Sequence, residues 1–481
     1  MTADQRQLAE AIIRTLRQAG HEALLAGGCV RDLLLGRRPK DYDVATSARP
    51  EEVLRLFPKA LTVGAAFGVV IVLEGASRAE VATFRAEGGY SDGRRPDAVR
   101  FTDAREDALR RDFTVNGMFL DPAPRPNGAR RASLPVVAGP PAKCAAPALA
   151  EGAPAPGLEH GRVLDFVGGR ADLAARVIRA IGDPARRFAE DHLRMLRAVR
   201  LAAELDFAIE PATAEAVRRL APQIALVSGE RVREELARLL TAAPARRRRG
   251  LELLSDLGLL AVLLPEVEAT KGVTQGPTVH PEGDVFAHTL LALEALREPT
   301  FELALATLLH DAGKPATFQV RDGRMTFYRH QHVSEEAARQ VAGRLRLSAL
   351  QARRVEWLVR HHMLLMSADG MREAKLKRLF AEDGFEELAE LYRADCLASG
   401  GTADAYEGIM ARYRALTEEE VRPRPLLSGH DLLGLGLEPG PLFGEILREV
   451  YDAQLEARVA SKDEALDLVR EILKTRCQPP P

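Results

Sequence analysis

The composition excludes several classes of protein before any motif is considered. The chain has 481 residues, a formal charge of −2 and 46% hydrophobic residues, so we expect two to four domains with substantial cores. A strongly basic nucleic-acid-binding protein is not indicated, and any RNA contact must come from local arginine clusters. The four cysteines form no CxxC pair, which argues against a zinc ribbon or a disulfide framework.

The sequence also gives no sign of a membrane partner. No apolar run is long enough to span a bilayer. Residues 1–10 are mostly polar and residues 11–16 are only part of a helical stripe, unlike a signal peptide. We therefore expect a cytoplasmic protein.

The first predicted elements surround a glycine turn. Residues 5–18 carry apolar side chains at helical spacing, which predicts a helix that ends before Gly20. Gly27 and Gly28 separate a strand from a short helix that begins at about Cys29, and glycine lets the backbone approach a ligand closely. Because the first N–H groups of a helix suit a phosphate, this turn is a candidate phosphate-binding site.

Two carboxylates follow the turn. Asp41 and Asp43 are two residues apart, the latter on a strand predicted over 42–46, so both should project from one face. Such a pair beside a phosphate turn can hold a divalent metal for nucleotidyl transfer. Glu80 starts a further predicted strand (79–85) and could join them, although an exposed acid at a strand end explains it equally well. Alternating helices and strands predict a small α/β domain over the first ~120 residues.

The string GGCVRDLLLGRRPKDYD, residues 27–43, resembles the nucleotidyltransferase motif of the tRNA CCA-adding enzymes and the related bacterial poly(A) polymerases. The resemblance implies that Asp41 and Asp43 are catalytic and bind Mg²⁺. It also implies that Arg31 and the glycine turn hold the phosphates of a nucleotide.

A second motif, LRRDFTVNGM at residues 109–118, is similar to the family string RRDFTxNAM, with Gly117 where alanine is usual. Arginine forks match phosphate oxygens, so Arg111 suits a triphosphate. Asp112 and Asn116 could bind a ribose hydroxyl or orient the arginines.

Two segments flank this motif. Residues 86–99 are glycine-rich and charged and predict a flexible loop over the site. In the resembled family such a loop organises addition of the last nucleotide, and it is full length here, which disfavours an enzyme that adds only CC. Residues 121–161 are rich in proline, alanine and glycine and predict a disordered insertion.

From residue 171 onward the chain reads as almost wholly helical. Asp183 and Pro184 begin a helix predicted to continue to residue 200, with Asp191, Arg194 and Arg197 spaced three apart. A solvated, salt-bridged face is the simple interpretation. Alternatively, a carboxylate beside a guanidinium accepts from the amine of cytosine or adenine and donates to the adjacent ring nitrogen.

Residues 190–194 match the EDxxR motif of the resembled family, to which this base-reading role is assigned. The resemblance thus implies recognition of C and A by Asp191, Arg194 and Arg197. Residues 228–236 begin a charged helix that resembles the segment bracing the base-reading helix, and we expect a structural role for it.

A separate region carries the pattern of the HD metal-dependent phosphohydrolases. His288, the pair His310-Asp311 and Asp395 match its four ligand positions, and LLHDAGKP at residues 308–315 has the family's flanks. Imidazoles and carboxylates together suit a divalent ion such as Mn²⁺, Ni²⁺ or Mg²⁺, which can activate water for phosphoester cleavage. Further histidines lie in the same region, and we expect no more than one or two to be additional ligands or substrate contacts: His330, His332, His361 and His362.

The resemblance covers roughly residues 20–120 and 160–470 and implies an α+β chain. A nucleotidyltransferase head (1–170) precedes a helical neck that recognises the base (171–270), an HD domain (271–400) and a helical tail that contacts tRNA (401–481).

The leading hypothesis is a tRNA nucleotidyltransferase, monomeric or homodimeric, that adds CCA from CTP and ATP without a template. The alternatives are a poly(A) polymerase, an A-adding enzyme, or mainly an HD phosphohydrolase. The HD region and the composition, which is not strongly basic, count against the poly(A) polymerase. The intact acids and Arg194 count against the hydrolase.

Overall fold

The fold is described from a computed structural model, which covers residues 2–62, 68–75, 77–88, 98–122, 161–276, 283–322 and 324–476. The chain divides into two compact units, one formed by Met1–Ala242 with Arg249–Leu263 and the other by Ala243–Arg248 with Leu264–Pro481. None of the described helices combines the length and apolarity needed to cross a bilayer.

The first unit contains a sheet and the helices around it. Its strands are β1 (Ala23–Ala26), β2 (Asp43–Thr46), β3 (Ala60–Thr62), β4 (Val69–Glu74), β5 (Ser77–Thr83), β6 (Arg85–Gly88), β7 (Ala98–Phe101), β8 (Phe119–Asp121), β9 (Arg162–Leu164), β10 (Val177–Ile178) and β11 (Ala208–Ile209). Its helices are α1 (Thr2–Gln18), α2 (Gly28–Leu34), α3 (Pro50–Leu56), α4 (Ala104–Arg110), α5 (Gly169–Ala175), α6 (Pro184–Glu190), α7 (Leu193–Leu205), α8 (Pro211–Leu220), α9 (Gly229–Leu240), α10 (Pro244–Asp256, with residues in both units) and α11 (Leu259–Leu263).

Among the described residues, seven strands form one mixed sheet in the order β3-β4-β5-β2-β1-β8-β9. Strands β2 and β5 are parallel, and the other neighbouring pairs are antiparallel. The interior strand β1, between β2 and β8, is buried along its whole length, as its uniformly apolar sequence requires. Phe84 and Phe119 meet edge to face in the core below it, with ring centroids 5.9 Å apart.

The second unit, in its described residues, is helical apart from two short paired strands and the connecting segments. It contains α12 (Pro265–Glu268), α13 (Val285–Ala295), α14 (Phe301–Leu309), α15 (Lys314–Thr317), β12 (Gln319–Arg321), β13 (Arg324–Thr326), α16 (His330–Arg344), α17 (Ala349–His361), α18 (Glu373–Phe380), α19 (Phe385–Ala398), α20 (Asp404–Ala415), α21 (Glu418–Val421), α22 (Gly429–Gly434), α23 (Pro441–Leu455) and α24 (Lys462–Arg476). In the tail, α22, α23 and α24 share an apolar cluster that includes Leu432, Ile446 and Val469.

This architecture confirms the predicted α+β class, with a sheet in the head and helices beyond it. The single helix predicted to continue to residue 200 is wrong. The helix is interrupted at Asp191, between α6 and α7, where the backbone is extended (φ −149°). The Asp191 carboxylate accepts a hydrogen bond from the N–H of Leu193 at the start of α7. A side chain that satisfies a free N–H of the following helix stabilises such a break.

The loop predicted at 86–99 is wrong at both of its ends. Residues 86–88 belong to β6 and residues 98–99 to β7, and these two strands pair antiparallel, while residues 89–97 lie outside the described residues. Most of the insertion predicted at 121–161, residues 123–160, also lies outside them. Strands β8 and β9, which flank that insertion in the sequence, pair with each other.

Candidate active sites

The glycine turn is shaped for close approach. Gly27 has φ +77°, a conformation that L side chains rarely adopt. A Cβ atom at this position would lie 3.1 Å from Nη1 of Arg111 and 3.9 Å from Oδ2 of Asp43. The turn therefore brings the arginine of the second motif next to a carboxylate of the first.

The sheet register brings the acidic residues together. Asp43 is the first residue of β2, opposite Ala26. Because β5 runs parallel to β2 with Val81 beside Val44, Glu80 lies next to Asp43 along the neighbouring strand. Asp41 precedes the strand and is exposed, whereas Asp43 is half-buried.

The electrostatics of Asp43 reflect this crowding. Burial, together with the nearby charges of Glu80 and Asp41, raises the pKa of Asp43 to about 6 against the opposing charge of Arg111. Desolvation and like charges both penalise the ionised form. A divalent cation held by these oxygens would relieve that penalty, and carboxylates are the ligands that Mg²⁺ prefers.

Arg111 is held by a carboxylate beneath it. Its Nε and Nη2 atoms lie 3.1 and 3.0 Å from Oδ2 of Asp107, which is 1% exposed. The guanidinium also packs 4.9 Å from the ring centroid of Phe119. Burial raises the pKa of Asp107, but Arg111 and Arg110 outweigh it and the pKa is lowered. Asp107 therefore fixes Arg111 at the glycine turn.

We expect Asp107→Asn to weaken nucleotide binding more than turnover at saturation, because Arg111 loses its anchor but remains present. Breaking a buried ion pair should also destabilise the fold by ~3–5 kcal/mol near neutral pH. The folded pKa of Asp107 is depressed, so its stabilisation exists above the unfolded pKa of 3.8 and is lost as pH falls below it. Steady-state kinetics with CTP and urea unfolding at pH 7.5 and pH 3 measure these effects. Unchanged KM and stability at pH 7.5 would contradict this role.

A chain of polar contacts joins the two head motifs to α7. Nη1 of Arg31 lies 2.8 Å from Oδ1 of Asn116, whose Nδ2 lies 3.4 Å from Oδ1 of Asp112. Oδ2 of Asp112 forms an ion pair of 2.6 Å with Nη2 of Arg197. Arg31 is itself paired with Asp32 at 2.8 Å. Asn116 thus orients Arg31, and Asp112 orients Arg197.

The acid at the helix break has a partner that the sequence analysis did not name. Both oxygens of Asp191 accept from the fork of Arg231 on α9, at 3.1 and 2.8 Å. Arg194 instead donates to Oε2 of Glu190 at 2.7 Å and to the carbonyl of Arg187 at 3.0 Å. Asp191 and Arg194 therefore lie at the same break but are each held by another residue.

The expected bracing role of residues 228–236 has a clear structural basis. Besides Arg231, α9 supplies Glu235, whose Oε2 lies 2.5 Å from Nε of Arg200 on α7. Contacts from α9 thus reach both the break and the middle of α7. The spacing of Arg231 and Glu235, one helical turn apart, is the only sequence signal that could have identified this pair.

The four residues of the HD pattern converge in the second unit. Nε2 of His288, on α13, lies 2.8 Å from Oδ1 of Asp395, on α19, and 3.9 Å from Oδ2 of Asp311. Nε2 of His310, directly after α14, lies 3.2 Å from Oδ2 of Asp311 and 3.8 Å from Oδ1 of Asp395. A transition metal or Mg²⁺ fits this mixed nitrogen and oxygen set.

Three more side chains surround Asp311. His330 and His362 lie 3.1 and 3.9 Å from its Oδ1, and Nζ of Lys314 lies 2.6 Å from its Oδ2. Burial lowers the pKa of His362 to about 3, which keeps its imidazole neutral. Of the four extra histidines in the sequence, His330 and His362 reach the cluster. His361 instead lies 2.8 Å from the carbonyl of Trp357.

Comparison with family models gives three matches in chain order. Residues 23–127 match the "Poly A polymerase head domain", residues 206–271 match the "Probable RNA and SrmB- binding site of polymerase A", and residues 285–400 match the "HD domain". The first match includes the glycine turn and the acids of the head, and the third includes the histidine cluster.

Several curated relatives align along nearly the whole chain. An A-adding tRNA nucleotidyltransferase of Deinococcus radiodurans is 36% identical over 93% of this chain and 95% of its own. A CC-adding tRNA nucleotidyltransferase of Thermus thermophilus is 34% identical over 92% of both chains. A CCA-adding enzyme of Geobacillus stearothermophilus is 40% identical, but the alignment spans 53% of this chain and 54% of that enzyme.

A solved structure, that of the Bacillus stearothermophilus CCA-adding enzyme in complex with CTP, matches 98% of both chains with a TM-score of 0.68 and 28% identity. Fold, motifs and full-length relatives therefore agree. The chain belongs to the family of tRNA nucleotidyltransferases, with a poly(A) polymerase head domain and an HD domain.

Proposed function

We propose that this enzyme adds C, C and A to the 3′ end of tRNA from CTP and ATP, without a nucleic-acid template. The observation that carries the proposal is the set of contacts, within the first unit, between the residues proposed to bind phosphate and the helix proposed to select the base. Arg31, which we propose as a phosphate ligand, connects through Asn116 and Asp112 to Arg197 on α7, the helix that begins directly after Asp191 and His192. One bound nucleotide could therefore contact both sets of residues.

In this proposal Asp41 and Asp43 hold Mg²⁺, and Glu80 is close enough to contribute. The donor set fits this ion, because three carboxylates supply hard oxygen ligands and their crowding raises the pKa of Asp43. When bound, the ion lowers the pKa of the primer 3′-OH and neutralises charge on the triphosphate. Arg111, pointing at Gly27, and Arg31 then hold the phosphates in line with that hydroxyl.

Base selection follows from the lone pairs of Asp191. Oδ1 accepts from the N–H of Leu193 and from Arg231, whereas Oδ2 accepts one described hydrogen bond, from Arg231. A carboxylate oxygen has room for two donors, so Oδ2 can accept from the exocyclic amine of cytosine or adenine. Arg194, oriented by Glu190, would donate to the adjacent ring nitrogen. Guanine and uracil present the reverse order and would be rejected.

The relatives leave three possible products, since those aligned along nearly the whole chain add A, CC or CCA. We favour CCA because the residues proposed to read C and A are both present and the segment at 86–99 is full length. Three tRNA acceptors test this choice: one lacking CCA, one ending in C and one ending in CC. Each is incubated with CTP alone, ATP alone or both.

Full CCA on the first acceptor, and A on the third with ATP alone, are the expected products. Addition only to the acceptor that ends in CC would identify an A-adding enzyme. Products that stop at CC would identify a CC-adding enzyme, and long A tails would identify a poly(A) polymerase.

A second activity, metal-dependent hydrolysis of phosphoesters such as 2′,3′-cyclic phosphates, is proposed for the HD cluster. The convergence of His288, His310, Asp311 and Asp395 supports it. Release of phosphate or ring opening of a cyclic nucleotide, lost in His310→Gln, measures it. If the chelator-treated enzyme hydrolyses the nucleotide as fast as the metal-loaded enzyme, this second activity is ruled out. The domain bounds, a monomer or homodimer, and action in the cytoplasm stay predictions.

A further inference from the structure

We propose that the paired strands β12 and β13, with the residues directly before and after them, form a binding surface for single-stranded RNA. This β12–β13 surface consists of residues 318–322 and 324–329 of the second unit. The proposal concerns RNA binding alone and is independent of the nucleotide addition and the hydrolysis proposed above.

The β12–β13 surface exposes large apolar side chains that the fold does not bury. Val320 lies opposite Met325 in the strand register, so both project from the same face of the pair. Both are exposed, Val320 to 61%. Phe318, directly before β12, and Tyr328, after β13, are also exposed, the tyrosine to 71%. Exposed apolar side chains that cluster in this way mark an interaction site, whereas single ones scattered over a surface do not.

Arginines give the β12–β13 surface its charge. Arg321 and Arg324 lie opposite each other in the register, and they and Arg329 are exposed. Among the described residues, no carboxylate forms an ion pair with any of the three. Asp322 is the one acid between residues 318 and 329, although the chain as a whole has a formal charge of −2. The surface is therefore complementary to a polyanion.

Tyr328 and Arg329 indicate which polyanion fits. The guanidinium of Arg329 lies 5.4 Å from the ring centroid of Tyr328. Single-stranded nucleic-acid sites use this combination, because bases stack on the exposed ring while the cation binds phosphate. An acidic protein segment would pair with the arginines but would offer the rings no flat partner. A second copy of this chain in a two-fold contact would bring like charges together.

Contacts at the base of the two strands hold this surface in place. The ring of Phe318 lies 5.7 Å from the half-buried ring of Phe327, and Nζ of Lys314 lies 5.4 Å from the centroid of Phe327. The carbonyl oxygen of Phe327 lies 3.0 Å from Nδ1 of His330. Side chains that are positioned before binding lose less entropy when the RNA binds. The surface adjoins the HD cluster, since Nζ of Lys314 lies 2.6 Å from Oδ2 of Asp311.

Photocrosslinking of the full-length enzyme locates the bound RNA. The probe is an oligouridylate of about ten nucleotides, within the range that one single-stranded site covers, with one 5-iodouridine. Crosslinked peptides are identified by mass spectrometry. We expect crosslinks within residues 318–329. Crosslinks confined to other parts of the chain would overturn the proposal.

Two variants separate stacking from charge. The yield of crosslinks to the peptide that contains Phe318, measured as the RNA concentration rises, gives an affinity specific to this surface. Tyr328→Ala should weaken that affinity roughly 5- to 150-fold, because one stacked base is lost, and Tyr328→Phe should restore it. The combined variant Arg321→Gln, Arg324→Gln and Arg329→Gln should reduce the slope of log affinity against log salt by about 2, since each phosphate contact to a single strand contributes ~0.7.

Leu350→Ala and Arg353→Gln are the matched controls, because they change an equally exposed apolar residue and an exposed arginine on α17 of the same unit. Both should bind the probe as the wild type does. Circular dichroism establishes that each variant is folded. Unchanged affinity in Tyr328→Ala, or an unchanged salt dependence in the arginine variant, would overturn the proposal. A change from dimer to monomer on sedimentation, without loss of RNA binding, would instead identify a contact between copies of the chain.

Discussion

Asp43→Asn is expected to abolish addition of both C and A to tRNA. The change removes an oxygen that we propose as a Mg²⁺ ligand next to Glu80 and Asp41, and transition-state charge stabilisation by a metal is worth several kcal/mol. We therefore expect a fall of about 1000-fold or more in the single-turnover rate. Incorporation of labelled CTP and ATP into tRNA measures it. Glu51→Gln, at an exposed acid on α3 of the same head, is the control and should retain full activity.

This loss should not come from unfolding. Burial and nearby acids raise the pKa of Asp43 to about 6 from its ordinary 3.8, so the folded protein holds this proton more tightly than the unfolded chain. The corresponding stability is present at acidic pH and is lost as pH rises through about 6. At pH 8 without metal, Asp43→Asn should melt at or above the wild-type temperature. Mg²⁺ should raise the melting temperature of the wild type more than that of the variant, which keeps the HD cluster but lacks the Asp43 carboxylate. An inactive variant that melts several degrees lower at pH 8 would contradict this assignment.

Asp191→Ala is expected to relax base selection while leaving addition possible. The hydrogen bonds that distinguish C and A from G and U are each worth ~1–3 kcal/mol, so discrimination should fall by roughly 10- to 100-fold. The measurement is kcat/KM for each of the four nucleotides on tRNA lacking CCA. Arg194→Ala should act in the same direction. Arg219→Ala, at an exposed arginine of α8, should change nothing. Full selectivity in Asp191→Ala would refute the base-reading role.

Variants of Arg231 test whether this residue positions Asp191 for base selection without contacting the nucleotide itself. Its bidentate fork holds both oxygens of Asp191, and lysine cannot reproduce two parallel hydrogen bonds. Arg231→Ala should therefore lower discrimination nearly as much as Asp191→Ala, and Arg231→Lys should restore part of it. If Arg231→Ala changes only thermal stability and leaves the nucleotide preference intact, the brace is structural alone.

The motifs that the sequence analysis identified are those whose residues are close along the chain. The glycine turn, Arg111 and the acids could be predicted because their types and spacing carry the chemistry. The α+β class also followed, because apolar periodicity changes from alternating to helical after the head. Glu80 was left open, since only the parallel register of β2 and β5 brings it next to Asp43.

What could not be predicted depends on pairing between distant elements. Helical spacing suggested that Asp191 faces Arg194. The helix instead ends before Asp191, whose carboxylate accepts a hydrogen bond from the N–H of Leu193 and is paired with Arg231, 40 residues away. Likewise, His330 and His361 were indistinguishable as ligands by sequence. Helix packing separates them, because it places Nε2 of His330 3.1 Å from Asp311 and leaves His361 in contact with the carbonyl of Trp357.

The most direct test of the whole account is the 3′ sequence of tRNA lacking CCA after incubation with enzyme, Mg²⁺ and all four nucleotides at equal concentration. We predict that the products end in CCA, without G or U and without extension beyond the final A. Homopolymeric A tails, or substantial G or U at the added positions, would contradict the account.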